Sequence, residues 1–158
     1  MRTQRIYLET TLFNYYYEYN REAHADTVKL FEEIKAKKYE AFTSVYTVDE
    51  LQEAPTERAE KMINLIIEYN ITVLDSSEEA NMLATTYQNQ GIIPLGSIID
   101  AQHIAVASVN DMDMIISLNF KHIVRKKTVI MTGRVNTDFG YRPIEIHSPM
   151  EVVDRENA

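Results

Sequence analysis

The sequence predicts an α/β fold: a parallel β-sheet flanked by helices on both faces. Three observations point to it. Short apolar runs alternate with segments of helical period along the chain, the pattern of successive βα units. The runs are apolar throughout, as strands covered on both sides require. Polar residues gather just after these runs, at the strand ends where ligands of open parallel sheets bind.

Ile6-Tyr7-Leu8 is the first strand, closed by Glu9. An aromatic segment from Leu12 to Tyr19 follows. Its four tyrosines and one phenylalanine between residues 13 and 19 exceed what one helical face of a small domain readily buries. Amphipathic rings of this kind suit a protein interface, so the stretch is expected to help form a homodimer. A helix runs from about His24 to Lys37, with Val28, Leu30, Phe31 and Ile34 as its apolar stripe. Residues 40–44 form a second strand, and residues 48–53 a helix stopped near Pro55. Thr56 is expected to cap the next helix, whose core face is Ala59, Met62, Ile63, Ile66 and Ile67. Ile71-Thr72-Val73-Leu74 is a third strand. Ser77 opens a helix to about Asn89, and residues 91–96 are a loop broken by glycine and proline. The segment from Ser97 to Ala107 reads as a helix apolar almost all round, hence buried on most of its surface. A strand ending at Ser117, another around Val129-Ile130-Met131 and an edge strand within 141–146 complete the order. The chain reads as one domain over residues 1–158, its C-terminal segment from about 133 packed on the rest.

Composition narrows the chemistry. With 45% hydrophobic and 25% charged residues over 158 positions, the chain has the makeup of a globular domain able to bury a core. It has no cysteine, which excludes disulfides, thiolate metal sites and cysteine nucleophiles. His24, His103, His122 and His147 are too scattered for a zinc motif, leaving oxygen ligands and the cations that suit them, magnesium, calcium or manganese. A net charge of −8 argues against loose nucleic-acid binding through a broad basic face. It leaves room for a nuclease whose acids hold metal. Two local basic clusters stand out: Lys35, Lys37 and Lys38, then Lys121, Arg125, Lys126 and Lys127. The apolar run at the N-terminus is cut short by Glu9 and does not read as a signal peptide. No run approaches the roughly 18 apolar residues of a membrane span. A cytoplasmic location away from the membrane is expected.

Five residues converge on the carboxyl edge of the expected sheet. Glu9 closes the first strand, Glu50 follows the second, Asp100 lies near the start of the apolar helix, and Ser117 and Asn119 close a later strand. Each also has a plainer reading. Asp100 could serve the helix dipole, with Ser97 as its cap. Glu50 could be a surface acid, and Asn119 a turn residue. His103, on the same helical face as Asp100, reads as a hydrogen-bonded partner more than as a ligand. The functional reading rests on all of them meeting at one edge.

The same segments resemble those of PIN-domain ribonucleases, most closely the VapC-type toxins of toxin–antitoxin pairs. Tyr7-Leu8-Glu9-Thr10-Thr11 is similar to the first-strand motif Y-[IL]-D-T-[ST], with Glu9 in place of the usual aspartate. Thr47-Val48-Asp49-Glu50-Leu51 resembles the segment that carries the helix glutamate. Residues 100–105 are similar to D-A-x-H-x-A, and residues 117–123 to S-x-N-F-x-H-[IL], where many relatives have T-x-D. The tail from Asn136 to Glu151 resembles that of one subgroup.

The resemblance implies hydrolysis of RNA phosphodiesters with Mg²⁺ or Mn²⁺ as cofactor. It implies that Glu9, Glu50 and Asp100 hold the metal, with Ser117 and Asn119 orienting water or a carboxylate. Thr11, Lys121 and Arg125 become candidates for contacting substrate. RNA, a small antitoxin and a second copy of the chain are the implied partners. Two alternatives stay open: a non-catalytic PIN-like module binding RNA or protein, favoured by Glu9 and Asn119, and, more distantly, a phosphoacceptor receiver domain.

Overall fold

The computed structural model describes residues 2–155. Met1 and residues 156–158 of the expected C-terminal segment lie outside the described residues. Five parallel strands form one sheet in the order β3-β2-β1-β4-β5. They are β1 (Gln4–Leu8), β2 (Tyr39–Ser44), β3 (Thr72–Leu74), β4 (Met114–Ile116) and β5 (Glu145–His147). Helices α1 (Thr11–Tyr15) and α2 (His24–Lys35) follow β1; α3 (Val45–Gln52) and α4 (Thr56–Glu68) follow β2. Then come α5 (Glu78–Asn89), a single 3₁₀ turn (Leu95–Ser97) and α6 (Ile98–Val109), with α7 (Lys126–Asp138) after β4 and α8 (Pro149–Val152) after β5.

Strand alternation sorts the core into two halves. Ile6, Leu8, Ala41, Met114 and Ile116 point to one face, where they meet Leu12, Phe31, Leu65 and Val153 from α1, α2, α4 and the C-terminal segment. Tyr7, Phe42, Ile115 and Ile146 point to the other, against Leu83, Ile104 and Val135 of α5, α6 and α7. A fully buried Leu or Ile of this kind contributes about 1.5–3 kcal/mol. The alternation also decides that Tyr7, alone in β1's buried centre, faces α6. α6 is buried even at Gln102, His103 and Ser108, as its all-round apolar pattern requires.

The chain winds outward from β1 through β2 to β3, then returns to β1's other side for β4 and β5. The winding therefore reverses between β1 and β4, and the crevice beyond their carboxyl ends is where an open α/β sheet takes its ligand.

Two expectations are corrected, and the aromatic stretch is placed. Residues 129–131 are not a strand: they lie within α7, which buries Thr128, Thr132, Val135 and Asn136 at helical spacing. Thr132 turns its hydroxyl back to the carbonyl of Thr128, and Asn136 donates to Ser108 Oγ, so polar residues sit comfortably on that inner face. Gly133 is small because Pro143 crosses there, 3.3 Å from where a Cβ would stand. Thr56 begins α4 inside the helix, with Pro55 at the cap, whereas Ser77 caps α5 by accepting from Ala80 N at 3.1 Å. The aromatic stretch, finally, packs largely within the chain. Phe13 is fully buried, and Tyr16 meets Tyr17, Phe31 and Tyr69 edge to face while its hydroxyl bonds that of Tyr69 at 2.8 Å. Tyr19 is the ring of this group left outside, 75% exposed.

Candidate active site

Glu9 leaves β1 at the crevice and is 3% exposed. Three hydrogen bonds reach its Oε1: from Thr11 N at 3.2 Å, Thr11 Oγ1 at 2.5 Å and Ser117 Oγ at 2.7 Å. Burial pushes the Glu9 carboxyl above the usual range, and electrostatic attraction to His103 together with these donors offsets only part of that rise. Thr11 and Ser117 therefore act on Glu9 as fixed donors from both sides of the crevice. Thr11, expected to touch substrate, also accepts from Leu118 N at 2.8 Å, so its hydroxyl ties α1 to the end of β4.

Glu50 projects from α3, which starts directly at the end of β2 because Ser44 caps it through Tyr46 N. Its Oε1 accepts from Thr10 Oγ1 at 2.5 Å and from His103 Nε2 at 2.8 Å. His103 is fully buried, and its Nδ1 lies 2.6 Å from the Tyr7 hydroxyl, which lies 2.6 Å from Ser44 Oγ. Burial pushes the Tyr7 phenol well above its ordinary value, so it stays a donor. The two ring nitrogens of His103 thus join Ser44, Tyr7 and Glu50 in one hydrogen-bonded series. Partial burial would raise the Glu50 carboxyl, but the hydrogen bond and electrostatic attraction of His103, with the Thr10 hydrogen bond, outweigh it and hold Glu50 below the usual range.

Asp100 lies in the first turn of α6. Its Oδ2 is 2.9 Å from Nδ1 of His122, and both side chains are mostly covered. Ser97 makes no side-chain cap on α6, so the capping-box reading of Asp100 is not what the structure holds. Asn119 commits its Oδ1 to the backbone N of His122 at 3.0 Å, while its own N donates to Ser117 Oγ at 3.0 Å. Its side chain thus closes a turn. Lys121 and Arg125 are exposed beyond that turn.

Among the described residues, the titratable groups whose ligand atoms lie within 4.8 Å of one another are Glu9, Glu50 and His103. His103 is engaged on both nitrogens and is better understood as the support of Glu50. Asp100 stands outside that group. The three carboxylates share one arrangement: every protein donor recorded on each falls on a single oxygen, Oε1 of Glu9, Oε1 of Glu50 and Oδ2 of Asp100. Among the described residues no Lys or Arg pairs with any of the three. A cluster of anionic oxygens with one free atom apiece, one of them buried at a cost, fits a hard divalent cation.

The expected residues Glu9, Glu50 and Ser117 are thus brought together, while Asn119 joins them through Ser117 and Asp100 through His122. Sequence reasoning missed Thr10 and Tyr7 as supports, and His122 as the partner of Asp100. The signal for His122 was the histidine of the S-x-N-F-x-H segment, three residues after Asn119.

Comparison with known proteins follows this geometry. The PIN domain family model matches residues 6–125. The fold is similar to that of the Mycobacterium tuberculosis VapC20, a sarcin–ricin loop cleaving toxin, with a TM-score of 0.55 and 15% identity over 70% of this chain and 86% of that one. It is also similar to a chain of VapBC2 from Rickettsia felis, solved bound to a DNA fragment from its promoter, with a TM-score of 0.59 and 14% identity over 92% of this chain and 98% of that one. At such identities the likeness speaks for the fold. No curated protein matches the sequence significantly. With β1 central between β2 and β4, the sheet also lacks the strand order of a receiver domain, and that alternative is set aside. The family match spans most of the chain and every strand of the crevice: the chain belongs to the PIN domain family.

Proposed function

We propose that the protein is a Mg²⁺- or Mn²⁺-dependent endoribonuclease of the VapC type, the toxin of a toxin–antitoxin pair. The observation that carries this reading is the set of three carboxylates at the sheet's switch point, each anchored through one oxygen. Glu9 and Glu50 would hold the cation between them, and Asp100 would reach it directly or through water, since magnesium keeps several waters. When bound, the ion supplies Lewis-acid activation of the phosphodiester and of the attacking water.

The remaining work falls to the chain. Thr11 and Ser117 keep Glu9 oriented, and His103 and Thr10 keep Glu50 oriented, so neither rotates as substrate arrives. Asn119 shapes the turn that carries His122 and contributes no charge. Lys121 and Arg125, exposed past that turn, attract the RNA backbone despite the net negative charge. A small antitoxin partner, a homodimeric state and a cytoplasmic location belong to the same reading. No helix among the described residues is long and apolar enough to cross a membrane.

The test is cleavage of mixed RNA with and without Mn²⁺ by the wild type and Asp100→Asn. The reading requires Mn²⁺-dependent cleavage by the first and none by the second. Cleavage by neither, with both folded, favours the non-catalytic module.

A further inference from the structure

We propose that His122 is a positioning residue, whose ring fixes the Asp100 carboxylate so that Oδ1 is left for the cation. This rests on the metal-dependent reading above. The geometry is specific to residues 117–122. Ser117 Oγ donates to Glu9 and accepts from Asn119 N, and Asn119 Oδ1 accepts from His122 N. The His122 carbonyl accepts from Thr128 Oγ1 at 2.7 Å, so side-chain bonds hold this residue's backbone at both its N–H and its C=O. The ring then meets Asp100 Oδ2 at 2.9 Å, with side-chain exposures of 17% and 19%.

One continuous series of bonds therefore runs from Glu9 through Ser117, Asn119 and His122 to Asp100. It connects two carboxylates that sit on different elements, β1 and α6. A surface ion pair would not need its histidine fixed at backbone N, backbone O and ring; a carboxylate whose direction matters would. Asn119 suits the series because its amide oxygen accepts from His122 N without adding a charge beside Asp100.

The proposal separates by chemistry at position 122. In His122→Asn the amide nitrogen is as many bonds from Cβ as Nδ1 is, so it can still donate to Asp100. His122→Gln displaces that donor by one bond, and His122→Ala removes it. Mn²⁺ affinity measured by calorimetry without RNA reads the effect on the folded proteins, with thermal melts confirming the fold. Loss of an outer partner of a ligand costs metal affinity about 10- to 100-fold, and that loss is expected for Ala and for Gln. Asn should recover most of it. In cleavage, the Ala variant should need more Mn²⁺ for half-maximal rate, with the rate at saturation largely retained.

A folded His122→Ala with wild-type affinity overturns the proposal, as does an Asn variant no better than Ala. Should Ala fail to fold, Asn against Gln decides it alone, and equal affinities overturn it. A wild type that binds Mn²⁺ while Asp100→Asn binds it equally removes Asp100 as a ligand and the proposal with it. A wild type that binds none overturns the metal-dependent reading itself.

Discussion

The two edges of the sheet both carry buried or half-buried acids, and they treat them in opposite ways. At the amino edge, Asp113 precedes β4 and accepts from Arg5 N at 2.7 Å, from the Arg2 guanidinium and from Arg142 at 3.4 Å. Burial alone would raise it, but this backbone bond and the two arginines hold Asp113 below the usual carboxylate range. At the carboxyl edge, Glu9 receives only neutral donors and sits above that range. Charge at one edge is neutralised within the fold. At the other no Lys or Arg among the described residues pairs with it, the contrast that marks Glu9 as a candidate functional acid.

The largest expected effect breaks the carboxyl edge. Asp100→Asn should lower metal-dependent cleavage more than about a hundredfold, beyond the loss typical of an outer partner. Its stability without metal should hold, because the Asn amide oxygen can still accept from the His122 ring. Unaltered cleavage by the folded variant would remove Asp100 from the site.

Next comes the matching change at the amino edge. Asp113→Ala should cost about 1.5–3 kcal/mol in chemical denaturation, the range for hydrogen bonds to a charged group, with Mn²⁺ affinity untouched. A loss of affinity there would show that the edges are coupled.

Glu9→Gln should do the reverse: metal affinity falls sharply, while the metal-free protein melts about 2–4 °C higher if about 1 kcal/mol of burial cost is relieved. Acid sharpens the contrast. With its folded value raised, Glu9 binds a proton in the native state before it does in the unfolded one, so metal-free stability improves as pH falls through that window. Asp113, with its folded value depressed, contributes stability above its unfolded value and loses it as pH falls further. Melts across an acid series should show the gap between wild type and Glu9→Gln closing at a higher pH than the gap between wild type and Asp113→Asn.

The smallest effect is expected from Glu9→Asp, which keeps the anionic oxygen at shorter reach. It should retain most of the Mn²⁺ affinity and remain active. Affinity as poor as that of the Gln variant would mean that reach, and with it the Thr11 and Ser117 contacts, outweighs charge.

Much of the fold was legible because parallel strands buried on both faces announce themselves as apolar runs, and α6 did so more strongly than any other element. α7 was misread for the same reason. Its Val129-Ile130-Met131, of which Ile130 is exposed and the other two flank the core, looks like a strand, while its inner face carries Thr128, Thr132 and Asn136, whose hydrogen bonds no hydrophobic period records. Tyr16 looked like surplus because its partner Tyr69 lies 53 residues away. In the candidate site, Glu9, Glu50 and Ser117 could be placed from strand ends alone. The partner of Asp100 could not, since it depends on the direction in which the turn after β4 is folded by Asn119.

The tethering of each carboxylate through one oxygen has a consequence for ion choice. An acid so held presents a single atom, and its denticity toward a cation is one. Calcium fills its wide shell of six to eight oxygens with the help of carboxylates that grip with both. Magnesium and manganese, smaller and octahedral, accept single oxygens and complete their shells with water. On the proposed metal-dependent reading, the Thr10, Thr11, Ser117 and His122 contacts would act as a size filter as well as a scaffold, and releasing any of them would widen the range of ions the crevice could take.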